Sequence, residues 1–254
     1  MKLGIIGCGA IGTDVALAAD CIQQITKIFL YDIKSDASNK LNKQITKGEI
    51  KQVSDFLPEV DIVFEGASHQ AVTSFAQQIL SAGKDLILMS VGALFDADFQ
   101  KKLITIAYKK NCKIYIPSGA VCGIDGIISA KNSQLNEVTL VTTKPPESFG
   151  KKLSERTVLF KGTAREAVKK FPANINVAAS ISLAGLGFDE TKVEIVADPV
   201  VTRISHKILA HGSFGRLRVE IENMPNPKNP GSSYMASLSA IATLKRIIDP
   251  IQIG

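Results

Sequence analysis

The sequence predicts an α/β protein: a doubly wound parallel sheet, followed by a smaller α/β unit built on a mixed sheet. Two patterns carry this reading. Up to Ile116, short apolar runs alternate with helical stretches and no hairpin signal intervenes, as strand–helix–strand crossovers require. Past Pro117 the texture changes to β-branched runs and segments that alternate apolar with charged residues, Arg216–Asn223 (RLRVEIEN) being the cleanest. Strands with one wet face suit a mixed or antiparallel sheet.

Taken in order, Lys2–Gly7 (KLGIIG) is a short apolar run of the kind a buried parallel strand gives. A glycine-rich turn follows, then Thr13–Cys21 (TDVALAADC) reads as a helix and Lys27–Asp32 (KIFLYD) as the second strand. The alternation continues with strand Asp61–Glu65, helix His69–Ala82, strand Lys84–Val91, helix Asp96–Lys110 and strand Lys113–Ile116. In the second half, Val138–Thr143 and Val193–Ala197 are β-branched strands. Met224–Gly231, with Pro225, Pro227 and Pro230, is a loop that can be neither helix nor central strand. Ser233–Ile248 is a last helix rich in Ala, Leu and Ile. The expected organisation is a first domain over 1–117, a second over 118–230, and a terminal segment, 231–254, whose helix packs back on the first.

With 254 residues, 45% hydrophobic and 21% charged, the chain is neither disordered nor of low complexity. At roughly 150 residues per domain it makes one large domain or two modest ones. The net charge of +6 is spread along polar helical faces (Lys101, Lys102, Lys109, Lys110; Lys169, Lys170) with acids interspersed. That is a solvated surface, and no aromatic-and-basic patch suggests nucleic acid. Cys8, Cys21, Cys112 and Cys122 form no C-x-x-C pair, and with three histidines no metal-ligand spacing arises. Free thiols point to a reducing, cytoplasmic compartment. The apolar run Leu3–Thr13 is interrupted by Asp14, and the uncharged stretch Phe171–Phe188 is diluted by Pro172, Asn174, Asn176 and Gly185. Both read as parts of a soluble fold, not as membrane or export segments.

The strongest chemical signal is Gly7-Cys8-Gly9-Ala10-Ile11-Gly12, placed after a predicted strand and opening a predicted helix. Gly7 permits the tight turn, Gly9 lets backbone approach a pyrophosphate, and Gly12 allows close helix–strand packing. The helix start at Ala10 and Ile11 supplies free amides and positive dipole for the phosphates. Asp32, 20 residues past Gly12, ends the second strand where a carboxylate can accept ribose hydroxyls. Together these predict a Rossmann-type nucleotide domain that takes NAD. Asp32 repels a 2′-phosphate, while nearby Lys34 leaves NADP possible. Small residues after two later strands, in Phe64–His69 and Ser90–Ala93, leave room for the nicotinamide half; His69 is a solvent-facing helix start or a participant. The block Ile116–Gly126 (IPSGAVCGIDG) offers free backbone amides to a carboxamide or anion, or is a bare hinge, and the residues leave both open.

With these segments, the chain resembles the L-aspartate dehydrogenase family nearly end to end. The shared pieces are GIIGCGAIG, GKDLILMSVGAL, IPSGAVCGIDGI, FKGTAREAVKKFPANINVAAS with LAGLG, VADPVVTRISH and IENMPNPKNPGSSYMASLSAIATLK. The resemblance implies NAD(P)-dependent oxidation of L-aspartate to iminoaspartate, which hydrolyses to oxaloacetate and ammonia or enters NAD biosynthesis, by a homodimer. It implies that Ala120 binds NAD through its backbone amide, that Asn176 contacts the nicotinamide end, and that His206 is the catalytic acid–base. One position departs from the pattern: Ile204 stands where an asparagine often precedes the histidine by two residues. The chemistry asks for such a group, because an amine must lose its proton before it becomes an imine, and histidine titrates near neutrality. His211 is read as a surface residue. Two substrate carboxylates need cations or oriented donors, for which Arg203, Lys144, Ser232 and Ser233 are of suitable type. Two other readings are a homoserine dehydrogenase-like or dihydrodipicolinate reductase-like enzyme of the same architecture, and a non-catalytic NAD-sensing module.

Overall fold

A computed structural model of the chain describes residues 1–171 and 175–253. The chain forms two compact units, one of Met1–Pro117 with Ser237–Gly254, the other of Ser118–Ala236.

The first unit contains β1 (Lys2–Ile6), α1 (Ala10–Asp20), β2 (Lys27–Tyr31), α2 (Ser35–Asn42), β3 (Gly48–Ile50), α3 (Val53–Phe56), β4 (Ile62–Glu65), α4 (His69–Ser81), β5 (Asp85–Leu88), α5 (Ala97–Lys110) and β6 (Ile114–Tyr115). Its six strands run parallel in the order β3-β2-β1-β4-β5-β6. The chain reverses its winding between β1 and β4, and in such sheets ligands bind at the carboxyl ends of the strands beside that point. Central strands are covered on both faces: Leu3, Ile5, Ile28, Leu30, Val63, Phe64 and Ile87 are buried. That is why these runs read as continuously apolar rather than alternating.

Three features of this unit differ from the sequence reading. Helix α1 starts at Ala10, inside the glycine motif, because Gly9 adopts an extended N-cap conformation. Strand β3 and helices α2 and α3 were not foreseen: β3 is a three-residue edge strand whose only signal is Gly-Glu-Ile. Strand β6 shrinks to two residues at the other edge.

The second unit contains α6 (Ile124–Ala130), β7 (Leu135–Lys144), β8 (Thr157–Thr163), α7 (Ala164–Lys170), α8 (Ile175–Ala184), β9 (Lys192–Ala197), β10 (Ile204–Gly212), β11 (Gly215–Asn223), β12 (Pro225–Asn226) and β13 (Asn229–Ser233). Its five-stranded sheet runs β11-β10-β7-β9-β8 and is mixed: β7 pairs parallel with β9, the other neighbours antiparallel. The dry face carries Val138, Leu140, Val193, Ile195, Ile208 and Ala210, all buried. The wet face carries ion pairs such as Lys161–Glu194 and Lys192–Glu137. The segment Met224–Gly231, expected as a loop, instead forms part of a two-stranded hairpin, β12–β13. Its prolines are tolerated because, among the described residues, neither strand has a second neighbour that needs their missing N–H. Pro172, Ala173 and Asn174 of the FPANIN block lie outside the described residues.

Helix α9 (Tyr234–Ile248) begins in the second unit, and from Ser237 onward its residues belong to the first. Among the described residues, no helix is long and apolar enough to cross a membrane.

The glycine motif produces a sharp contrast in tolerance. A Cβ on Gly12 would stand 1.8 Å from the Gly7 carbonyl oxygen, a backbone atom that cannot give way, whereas a Cβ on Gly9 would meet nothing within 4 Å. Gly12→Ala is therefore expected to destabilise the first unit by about 1–3 kcal/mol in urea unfolding, with Gly9→Ala within about 0.5 kcal/mol of wild type.

Candidate functional site

The site-forming residues fall into one cluster in each unit. In the first, β1 ends at Ile6 and Gly7 turns the chain with φ +97°, a conformation that suits glycine. A side chain there would also collide with Ala67, so the turn after β1 lies against the loop after β4. Gly9 caps α1 with no side-chain hydrogen bond, and by helix geometry the N–H groups of Ala10, Ile11 and Gly12 have no intrahelical acceptor. Open space above Gly9 and these amides make a cradle for an anion.

Asp32 follows β2. One carboxylate oxygen accepts the Cys8 N–H at 2.7 Å and the other the Lys34 N–H at 2.8 Å, so the acid ties the glycine turn to the end of β2. Each oxygen keeps a lone pair for a further donor. Beside it lies a cavity of about 220 Å³ lined by residues including Gly7, Tyr31, Asp32, Ile33, Ala67, Ser68 and Phe75. Tyr31 and Phe75 meet edge to face, with ring centroids 5.6 Å apart. Ile33 is 90% exposed. An apolar cavity beside a hydroxyl-accepting carboxylate and an anion cradle fits the adenosine half of a dinucleotide. Burial, with the nearby Asp32 charge, pushes the Cys8 thiol up to about 12, which disfavours its thiolate.

Glu65, at the end of β4, escaped the sequence reading. It is buried and accepts from Ala67 N–H (2.8 Å), Ser68 N–H (3.0 Å), Ser90 N–H (3.0 Å) and Ser90 Oγ (2.9 Å). One carboxylate thus holds together the loops after β4 and β5, the two stretches of small residues expected beside the nicotinamide. Burial pushes its carboxyl upward and the hydrogen bonds pull the other way. The only sequence signal was an acid closing an otherwise apolar strand. His69 is half-buried as the first residue of α4.

In the second unit His206 lies inside β10, a strand the sequence reading did not recognise. It is buried, directly across the ladder from Thr142 on β7, with Nδ1 3.0 Å from Thr142 Oγ1. Burial, and then the charge of Lys144, push the imidazole down to about 4. Lys144 follows Thr142 by two residues and so leaves β7 on the same face; burial pushes its ammonium down as well.

Asn223 ends β11 on that same face, directly opposite Ile204. It is buried; its Nδ2 donates to the Ala120 carbonyl at 3.0 Å and its Oδ1 accepts Ser233 Oγ at 2.6 Å. The turn that presents Ala120 is thereby fixed to the sheet. Where Ile204 lacks a polar side chain, the ladder partner supplies an amide. The signal in the sequence was an asparagine at the end of the inward row Leu217, Val219, Ile221.

Of the other sequence candidates, Asn176 is exposed as the second residue of α8, and Arg203 is exposed before β10. Ser232 Oγ donates to the Asn229 carbonyl. His211 sits on the wet face with Nε2 3.1 Å from Glu137 Oε2.

Comparison with known proteins bears on both halves. Residues 7–117 match the model of the homoserine dehydrogenase NAD binding domain, and residues 125–247 that of the aspartate dehydrogenase C-terminal domain. The chain is 45% identical to L-aspartate dehydrogenase of Methanosarcina barkeri over a 271-position alignment spanning 100% of this chain and 99% of that one. It is 43% identical to L-aspartate dehydrogenase of Nitrosopumilus maritimus, with the same coverage. The crystal structure of aspartate dehydrogenase from Thermotoga maritima superposes with a TM-score of 0.84 at 32% identity, over 100% of this chain and 99% of that one. A putative myo-inositol dehydrogenase from Sinorhizobium meliloti, at 13% identity and a TM-score of 0.60, shares the fold alone. A nicotinamide-cofactor domain at one end, an aspartate dehydrogenase domain at the other and full-length identity above 40% to enzymes of one activity leave a single assignment: the chain belongs to the L-aspartate dehydrogenase family, oxidoreductases that act on the amino group of aspartate.

Proposed function

We propose that this protein oxidises L-aspartate to iminoaspartate with His206 as the acid–base, and that NAD is the preferred acceptor. The observation that carries the reading is the buried His206–Thr142 pair, a histidine held by its Nδ1 on the dry face of a sheet. With the Nδ1 proton donated to Thr142 Oγ1, the tautomer leaves a lone pair on Nε2 for the substrate amine. A bound nicotinamide supplies the hydride acceptor. His206 takes the amine proton as the imine forms and returns it in the reverse direction. The Ala120 amide, on a turn fixed by Asn223, and Asn176 at the start of α8 are assigned to the nicotinamide end; Gly7, Gly9, Ala10, Ile11 and Gly12 to the pyrophosphate; and Asp32 to the ribose.

Asp32 disfavours a 2′-phosphate, which supports NAD over NADP, and Lys34 two residues on moderates that preference. Iminoaspartate hydrolyses to oxaloacetate and ammonia, or is used as such as a precursor in NAD biosynthesis. The first unit is assigned to cofactor, the second to substrate and catalysis. We read the protein as a cytoplasmic homodimer. The wet face of the second sheet, where half-buried Val141 and Leu209 sit among charged pairs, supports that contact.

Purified protein is expected to oxidise NADH, and NADPH more weakly, with oxaloacetate only when ammonium is present. His206→Ala should lower that rate by about 10²–10⁴-fold while NADH binding is retained. Cofactor binding without ammonium-dependent oxidation would sink the assignment. Asn223→Ala leaves the Ala120 carbonyl and Ser233 hydroxyl without their partner. It is expected to cost about 1–3 kcal/mol of stability and to raise the KM for NADH more than it lowers kcat.

A further inference from the structure

Among the described residues, Glu65 is the one carboxylate that the fold buries, at 2% exposure. Its two oxygens have different duties. Oε1 accepts the N–H groups of Ala67 and Ser68 and the hydroxyl of Ser90, whereas Oε2 accepts the N–H of Ser90. The Glu65 carbonyl also accepts the Met89 N–H at 3.0 Å, so the chain leaving β5 is tied to this residue by backbone and side chain together. Ser90 in turn opens a 3₁₀ turn, Val91–Phe95, whose Ala93 N–H returns to the Ser90 carbonyl at 3.0 Å. On the other side, Ala67 and Ser68 line the cavity beside Asp32, and Ala67 stands against Gly7.

This division of labour requires an acid. Three of the four donors are backbone N–H groups, which can only donate, and they occupy both oxygens; an amide side chain would offer an acceptor on one side alone. Fastening the loop after β4 needs Oε1 and nothing more. Oε2 serves the loop after β5. A dinucleotide whose adenosine half fills the cavity on the β2 side crosses the switch point, and its other half comes to the carboxyl ends of β4 and β5. We propose that Glu65 is the positioning residue for the nicotinamide end of the cofactor: it locks the loop after β5 to the wall of the adenosine cavity. A cofactor seated by its adenosine half then meets a nicotinamide subsite that is already formed, and no ordering of that loop is left to oppose binding. Glu65 acts through the backbone of Ala67, Ser68 and Ser90. The inference rests on reading the first unit as an NAD site.

The test compares two ligands by calorimetric titration: NADH, and ADP-ribose, which keeps the adenosine and pyrophosphate but has no nicotinamide. Glu65→Gln retains the acceptor for Ala67 and Ser68 and turns its NH₂ toward the Ser90 N–H, setting two donors face to face. NADH affinity is expected to fall about 10- to 100-fold, as loss of a hydrogen bond to a charged group does, with ADP-ribose within about twofold of wild type. Ser90→Ala removes the hydroxyl bond alone; NADH should weaken about 2- to 10-fold and ADP-ribose should stay unchanged. Retained ADP-ribose binding reports that the first unit is folded. Equal losses for the two ligands would overturn the proposal, because a residue that merely shapes the loop after β4 moves both alike; unchanged NADH affinity would overturn it too. If Glu65→Gln binds neither ligand, Ser90→Ala decides by the same criterion. Wild-type protein that binds neither ligand would remove the cofactor reading and the proposal with it, whereas equal losses in variants of a protein that binds both remove the proposal alone.

Discussion

The register between β7 and β10 sets Thr142 opposite His206, and the row of polar side chains on that buried face depends on this ladder position. Side chains on a strand alternate between faces, so a slip of one residue would exchange the whole set. His206 and Ile208 would turn to the wet side, while Lys207 and His211 would turn inward against Leu140 and Ile195. The apolar alternation of Val138, Leu140, Ile208 and Ala210 opposes such a slip, since it would put those side chains in water. The core therefore specifies the orientation of a polar residue that contributes little to it.

Burial has a second consequence at the same place. Removing His206 from water disfavours its charged form, and a hydroxyl partner does not restore it as a carboxylate would. The imidazole is thus kept neutral, with Thr142 Oγ1 beside its Nδ1. Lys144 shares the face because it is two residues from Thr142 on a strand of period two. Asn223 shares it because β11 continues the same row, and from there it fixes the Ala120 turn. Histidine, threonine, lysine and asparagine come from three strands, β7 lying far back in the chain from the β10–β11 hairpin, and the sheet makes them neighbours.

The first unit is governed by close approach rather than by register. Helix α1 sits so near the turn after β1 that Gly12 has no room for a side chain, and that turn lies so near Ala67 that Gly7 has none either. Tight packing is what leaves the Gly9 backbone and the α1 amides open. Asp32 closes the arrangement through the Cys8 N–H, and Glu65 does the equivalent for the loops after β4 and β5. Both acids act first on backbone donors, which gives loops of small residues a definite shape.

Local chemistry made much of this legible in the chain itself. The glycine spacing, the acid 20 residues on, the apolar runs and the alternation in Arg216–Asn223 each express a backbone or burial requirement within a few residues, and the family resemblance singled out His206, Ala120 and Asn176. Long-range pairing was not legible: β3 is too short to show a period, and β10 (ISHKILAHG) interrupts its pattern with two histidines and a lysine. Nor did the sequence show that Thr142 would meet His206, that Asn223 would hold Ala120, or that Glu65 would collect four donors. The sequence by itself determined the fold class, the dinucleotide motif and the family, because these rest on contacts within one strand–turn–helix or on whole-chain likeness. The tertiary structure alone decided which polar groups share a buried face and what proton affinity results, because both depend on sheet register and on exclusion from water.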